Sequence, residues 1–220
     1  MTDIETLERI LATRRSCRGF TDEPVPHDVV ERLLTAAQRT PSWCNTQPWE
    51  VVVTSGGATD KLRSALMSDA RYGSDIDFPP GYEGVLQERR REVGWQLYEA
   101  VGVAKGDRDA SAREMVRNFE LFGAPHVAIV HAPASLGPYG LVDCGLYVDT
   151  FLLAAEALGL GACAQAAVAG RSELLHEWFD LPDDRRVLCG IAFGHADPDH
   201  PSAGFMSNRA DLADVVRFVS

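Results

Sequence analysis

The sequence has few cysteines, no surplus of basic charge and no long hydrophobic run, and each shortage removes a class of protein. Its five cysteines, Cys17, Cys44, Cys144, Cys163 and Cys189, are scattered, odd in number and never at C-x-x-C spacing. Neither a disulfide scaffold nor a zinc site is expected, and the thiols read as reduced. Lys and Arg number 21 against 32 Asp and Glu, a net charge of -11. That is the wrong sign for nucleic acid, which binds through neutralised phosphates on a basic surface. The most apolar segment, Leu146 to Leu160, is interrupted by Asp149 and Glu156 and reads as a buried helix rather than a membrane span. Met1 to Glu8 is acidic and polar, without the basic-then-apolar order of a signal peptide, so a cytoplasmic protein is expected. No G-x-S-x-G elbow occurs, and His176-Glu177 fails H-E-x-x-H because position 180 is Asp180.

What is present is 220 residues, 45% hydrophobic and 24% charged, enough for a full core in one domain with room for an insertion. Against the acidic background, Arg14-Arg15-Ser16-Cys17-Arg18 stands out. A guanidinium is a planar fork of donors that fits phosphate oxygens, so the cluster points to an anion. A solvated basic face is the bland alternative for an isolated R-R-S-x-R.

Thr2 and Glu5 have capping-box spacing and Ile4, Leu7, Ile10 and Leu11 recur at helical intervals, predicting a helix to about Arg14. Its end delivers the arginines, where they also complement the helix dipole. Val29, Val30, Leu33, Leu34 and Ala37 make a second helix, closed by Pro41. Pro41-Ser42-Trp43-Cys44-Asn45-Thr46-Gln47-Pro48-Trp49 follows, leading into a strand at Glu50 to Thr54. Two prolines keep this stretch irregular, and carboxamides beside indoles suit the edge and faces of a flat heteroaromatic ring. The same composition also makes ordinary surface turns.

R-R-S-C-R-G-F, then some twenty residues, then P-S-W-C-N-T-Q-P-W and a strand resembles the FMN-binding N-terminal region of the nitroreductase-like flavoprotein family, in its nitrobenzoate-reductase-like branch. The resemblance implies an α+β fold with a central mixed, mostly antiparallel sheet flanked by helices, in an intertwined homodimer. It implies that Arg14 and Ser16 hold the FMN phosphate and ribityl chain, with Arg15 contributing and Arg18 facing the flavin. Pro41, Ser42, Asn45 and Gln47 would join a flavin site built across the dimer interface, with Trp43 a substrate wall.

Farther on, helices are predicted at Lys61 to Arg71, Glu83 to Ala104 and Ala110 to about Phe122. Arg89-Arg90-Arg91 lies among Glu83, Glu88 and Glu92 and reads as a solvated face. Phe78 to Gly106 reads as a lid or interface insertion in an otherwise single domain, with Trp95 and Tyr98 as substrate walls or as the buried stripe of a helix. By resemblance, Asn118 contacts the flavin pyrimidine. Ala124 to Val130 reads as a strand carrying a structural His126, and Val142 to Leu158 as an apolar helix that in the family lies at the dimer core.

Gly159-Leu160-Gly161-Ala162-Cys163-Ala164 matches G-x-G-x-x-A, but a helix precedes it where the dinucleotide fingerprint needs a strand. The glycines therefore read as a helix end, with Ala162 to Ala167 the next strand. The resemblance places the backbone of Ala164, Gln165 and Ala166 near the reactive N5 edge of the flavin. Ser172 is expected to cap a short helix and Val187 to Gly194 to form a central strand. His195, Asp197, Asp199 and His200 fall in a proline-stiffened turn with no ligand geometry, so no metal is expected. Arg209 matches the arginine that in the family returns to the FMN phosphate.

The implied activity is ping-pong hydride transfer: NADH or NADPH reduces FMN, then a nitroaromatic or quinone-like acceptor takes its place. No catalytic side chain is required, since the flavin N5 carries the chemistry. Reductive dehalogenation, flavin consumption and flavin storage are the competing readings.

Overall fold

The computed structural model describes residues 2–219. Thr2 and Glu5 make the expected capping box ahead of helix α1, Asp3–Thr13. Helix α2 (His27–Ala37), strand β1 (Glu50–Ser55), helices α3 (Gly57–Ser68), α4 (Gly84–Ala100) and α5 (Arg108–Val116), and strand β2 (His126–Pro133) follow. The second half holds helix α6 (Gly137–Ala157), strand β3 (Gly161–Gln165), helices α7 (Ala166–Ala169) and α8 (Ser172–Phe179), strand β4 (Arg185–Gly194) and the short helix α9 (Leu212–Val215). The α+β architecture is the expected one.

The strands form a single sheet in the order β1-β2-β4-β3, antiparallel at every pairing. Parallel pairing is confined to isolated bridges such as Ser16 with Ala162. Helices cover both faces, so the central strands alternate between two cores. Ala128, Val130, Ile191 and Phe193 meet α2 and α6 through Leu33, Tyr147 and Phe151. Val127, Ile129, Val187 and Ala192 meet Leu62, Leu66, Val168 and Leu175 on the other side. Burial of each of the larger side chains contributes roughly 1.5–3 kcal/mol, and the double coverage is why Val127 to Val130 of β2 read as an unbroken apolar run rather than an alternation. His126 is structural, as expected: its Nε2 accepts the Val25 N–H at 3.0 Å and its ring stacks on Phe193.

Several boundaries differ from the sequence reading. The helix expected at Lys61 to Arg71 ends at Ser68, because Asp69 turns extended and its carboxylate accepts the Arg71 N–H. The one expected to reach Phe122 stops at Val116, and Leu121 and Phe122 adopt left-handed φ of 55° and 53°. The apolar helix α6 begins at Gly137, with Pro138 in its first turn. β3 ends at Gln165, so Ala166 and Ala167 are helical. Ser172 is not a cap: Arg171 occupies that place, and the Ser172 hydroxyl donates to the Gly73 carbonyl at 2.9 Å.

Candidate functional site

The arginine cluster owes its position to the way α1 stops. Arg14 leaves the helix in an extended conformation while its N–H still reaches Ile10. The chain then runs along the free edge of β3, where Ser16 bridges Ala162 and the Cys17 N–H donates to the Ala162 carbonyl at 3.0 Å. Alternation of side chains along an extended segment turns Cys17 inward and leaves Ser16 and Arg18 half-buried. Beyond it, Phe20 bridges Ala196, and the Thr21 and Asp197 N–H groups bond to His195 and Gly19.

Arg14, Arg15, Ser16 and Arg18 line a cavity of about 310 Å³ whose far wall includes Ser207 and Arg209 from the other end of the chain. No carboxylate lines it, and among the described residues none of the four guanidinium groups is ion-paired. Arg209 folds against the Ser207 hydroxyl at 2.8 Å and Arg18 against the Ser16 carbonyl at 3.3 Å. Four cations without a counter-charge repel one another, and a phosphate monoester satisfies such a donor set through charge-assisted bonds. The residues present therefore fit the phosphate of FMN.

Two residues that sequence reasoning missed hold this wall in place. Arg117 donates to the Arg18 carbonyl at 2.9 Å and contacts His200 Nε2 at 2.8 Å. His200 in turn lies so close to Gly19 that a Cβ there would sit 2.2 Å from the ring. Neither residue has a local sequence signal for this role, since the contacts that support the cluster, Arg117 with Arg18 and His200 with Gly19, join positions distant in the chain. The His195 to His200 turn is thus a support for the cluster. Among the described residues no group of three His, Cys, Asp or Glu side chains is arranged to hold a metal.

Beside the cavity, β3 passes into α7. Ala164 and Ala166 are exposed there, and Gln165 between them is buried. Gln165 Nε2 donates to the Asn118 carbonyl at 2.8 Å, so these two candidates meet, while Gln165 Oε1 is buried without a partner. The Asn118 amide itself donates to Met115. Burial pushes the Cys163 thiol up to about 11, against a smaller opposing effect of Arg18, and burial likewise raises Cys17. Both thiols are neutral packing groups, unsuited to nucleophilic chemistry.

The Pro41 to Trp49 loop lies elsewhere. Cys44, Asn45 and Gln47 take left-handed φ of 52°, 54° and 46°, costing of order 1–3 kcal/mol each in non-glycine residues. The surroundings that impose them are specific. Both Asp143 carboxylate oxygens accept the Trp43 N–H at 3.1 and 3.2 Å, and Ser42 Oγ accepts the Gln47 N–H at 2.8 Å. Gln38 bridges the Gln47 amide and the Trp49 indole at 2.9 and 3.0 Å. Trp43 and Tyr139, with ring centres 4.7 Å apart, flank an apolar cavity of about 220 Å³. No residue of this loop lines the arginine cavity, so one chain keeps Pro41, Ser42, Asn45 and Gln47 apart from Arg14 to Arg18. Trp95 and Tyr98 pack edge to face on α4, and neither lines either cavity.

Fold and site together define a two-faced α+β protein with a cationic pocket, lined by residues from both halves of the chain, whose donors suit a phosphorylated ligand. The Nitroreductase family profile matches residues 11–195, and the chain belongs to that family. It is 35% identical over 218 residues to nitroreductase NfnB of Mycolicibacterium smegmatis, covering 97% of this chain and 93% of the relative. It is 33% identical to a 4-nitrobenzoate reductase of Nocardioides sp., covering 98% and 91%. The crystal structure of the FMN-dependent nitroreductase NfnB from Mycobacterium smegmatis in complex with NADPH superposes with a TM-score of 0.94 at 34% identity, covering 99% of this chain and all of that one.

Proposed function

We propose that this protein is an FMN-dependent oxidoreductase that uses NAD(P)H to reduce nitroaromatic or quinone-like acceptors. The observation that carries the reading is the unpaired set Arg14, Arg15, Arg18 and Arg209 around one cavity. Kinship to nitroreductases named for FMN, NADPH and 4-nitrobenzoate supports it. When bound, FMN supplies hydride chemistry at N5, between the nicotinamide donor and the acceptor. Arg14, Arg15, Ser16 and Arg209 anchor its phosphate end. Arg18, half-buried beside them, would offer donors that favour negative charge on the ring, while Gln165 and Asn118, bonded to each other, would brace the backbone next to it. Exposed Ala164 and Ala166 carry only methyl groups, which lets the backbone approach the ring.

The working unit is a homodimer with the flavin site at the interface. Apolar residues of α1, Ile4, Leu7 and Leu11, are 58%, 45% and 52% exposed, and Tyr139, Val142 and Leu146 open the outer face of α6. An amphipathic helix that buries nothing in its own chain calls for a partner. A second copy would also bring the Pro41 to Gln47 loop and Trp43 to the arginine cavity, which one chain does not. Residues 78–106 act as a lid or interface insertion: α4 has no buried residue, so Trp95 and Tyr98 remain available as acceptor walls. Among the described residues no helix is long and apolar enough to cross a membrane. All five cysteines are unpaired, which supports a reducing, cytoplasmic setting.

Anaerobic mixing with NADPH or NADH tests the reading. The purified protein should be yellow, bleach rapidly with a nicotinamide donor, and recover its colour when a nitroarene is added. A colourless protein that takes up no FMN would sink the assignment, and a flavin that neither donor reduces would leave only storage.

A further inference from the structure

A second cavity, of about 450 Å³, shares Val93, Ser207 and Arg209 with the first, so Arg209 stands between the two. Its other cations are Arg89 and Arg90 of α4, whose basic run reads from sequence as solvent-facing. Arg91 does not line it; at 100° per residue the helix turns this neighbour away. The Arg90 guanidinium sits 5.6 Å from the Tyr82 ring centre, a cation–π contact that holds it without neutralising it. Among the described residues neither Arg89 nor Arg90 is ion-paired. Two carboxylates, Glu92 and Asp214, also line the space. Glu92 Oε1 accepts from Gln96 at 3.1 Å and Asn208 at 3.3 Å, and the three guanidinium groups of Arg89, Arg90 and Arg209 outnumber the two carboxylates. Val85, Val93 and Ala210 supply an apolar wall.

We propose that Arg89 and Arg90, with Arg209, bind the 2′-phosphate of the nicotinamide donor, making NADPH the preferred reductant. The proposal rests on the flavin reading above, in which Arg209 faces the FMN phosphate. A donor whose nicotinamide lies over the flavin ring and whose adenosine end runs past that phosphate reaches the adjoining cavity. There the adenine meets the apolar wall and the phosphate meets two unpaired forks. NADH differs from NADPH only in lacking this phosphate, so the discrimination lies in charge-assisted bonds that one donor makes and the other does not.

Arg89→Ala, Arg90→Ala and the double variant, with Arg91→Ala as control, test this in the flavin-loaded protein. Each lost guanidinium should lower kcat/KM for NADPH about tenfold while NADH is used as before, and Arg91→Ala should change neither. Calorimetry should show adenosine 2′,5′-bisphosphate binding the unaltered protein more tightly than 5′-AMP, a difference the double variant loses. Equal affinity for the two nucleotides, or parallel losses for NADPH and NADH, overturns the proposal. If neither donor reduces the flavin of the unaltered protein, the oxidoreductase reading fails instead, and the nucleotide affinities still decide the role of Arg89 and Arg90.

Discussion

The Arg117 guanidinium donates to the carbonyl of Arg18 at 2.9 Å, across 99 positions of sequence. This bond joins the turn after α5 to the segment that presents the arginine cluster. Arg117→Ala should leave the fold intact by far-ultraviolet circular dichroism and weaken FMN binding to the apoprotein about tenfold, the scale of one bond to a charged donor. Arg117→Lys should recover part of the loss, since an ammonium can replace one contact but not both. Unchanged affinity in both variants, measured by flavin fluorescence titration, would mean that Arg18 is positioned without Arg117.

Arg14 and Arg209 face one cavity from opposite ends of the chain. Arg14→Ala and Arg209→Ala should each give soluble protein that loses flavin on gel filtration, with affinity reduced about 10- to 100-fold. Full flavin occupancy in both variants would return the cluster to the status of a surface patch.

Gly19 is required by close approach. A Cβ there would lie 2.2 Å from His200 Cγ, and His200 is held by Arg117 and by Ser202 at 2.8 Å. Gly19→Ala should destabilise the protein by roughly 1–3 kcal/mol, the usual cost of overpacking. Adding His200→Ala should recover part of that loss in urea unfolding, as neighbouring sites couple. Simple additivity of the two changes would refute the contact.

Cys44 is exposed and the other four cysteines are buried. Burial raises Cys144 and Cys189 to about 12 as well as raising Cys17 and Cys163, so none of the four offers a thiolate at neutral pH. Thiol reagents should leave Cys17, Cys144, Cys163 and Cys189 of the native protein unlabelled and reach all five cysteines in denaturant. Rapid native labelling at any of these four, located by peptide mass, would contradict the burial pattern.

His126, His131 and His200 are all held below the ordinary value of 6.5, chiefly by burial. The unfolded chain therefore takes up protons that the folded chain refuses, and stability rises with pH across that interval. The contribution is complete above 6.5 and is lost as pH falls from there toward the lowered folded values. The urea midpoint should decline between neutral pH and about 5; a midpoint that rises over that interval would reverse the sign.

Much of the fold was legible because its signals are short-range. The Thr2 and Glu5 capping box, the spacing of Val30, Leu33 and Ala37, and the apolar β2 and β4 runs each lie within a few residues of what they determine. The errors fell where local preference was overridden. Asp69 ended α3 through its own side chain, and Ser172 gave up capping to bond a carbonyl of the 69–78 segment. The turn at Gln165 placed Ala166 in a helix because the chain leaves the β3 edge there. The supporting roles of Arg117 and His200 were not legible in the sequence, since they exist only through Arg18 and Gly19.

The residues by themselves pointed to an anion at Arg14 to Arg18, because a guanidinium's chemistry travels with the residue, and the family resemblance carried by motif order added the expectation that Arg14, Ser16 and Arg209 hold a phosphate. Only the tertiary structure decided which arginines share a cavity, with Arg89 and Arg90 joining Arg209 while Arg91 turns away. It also decided that the Pro41 to Gln47 loop stands apart from the cluster within one chain. Such facts depend on how a helix face and a returning tail are packed by the whole core, and no local stretch of sequence encodes that packing.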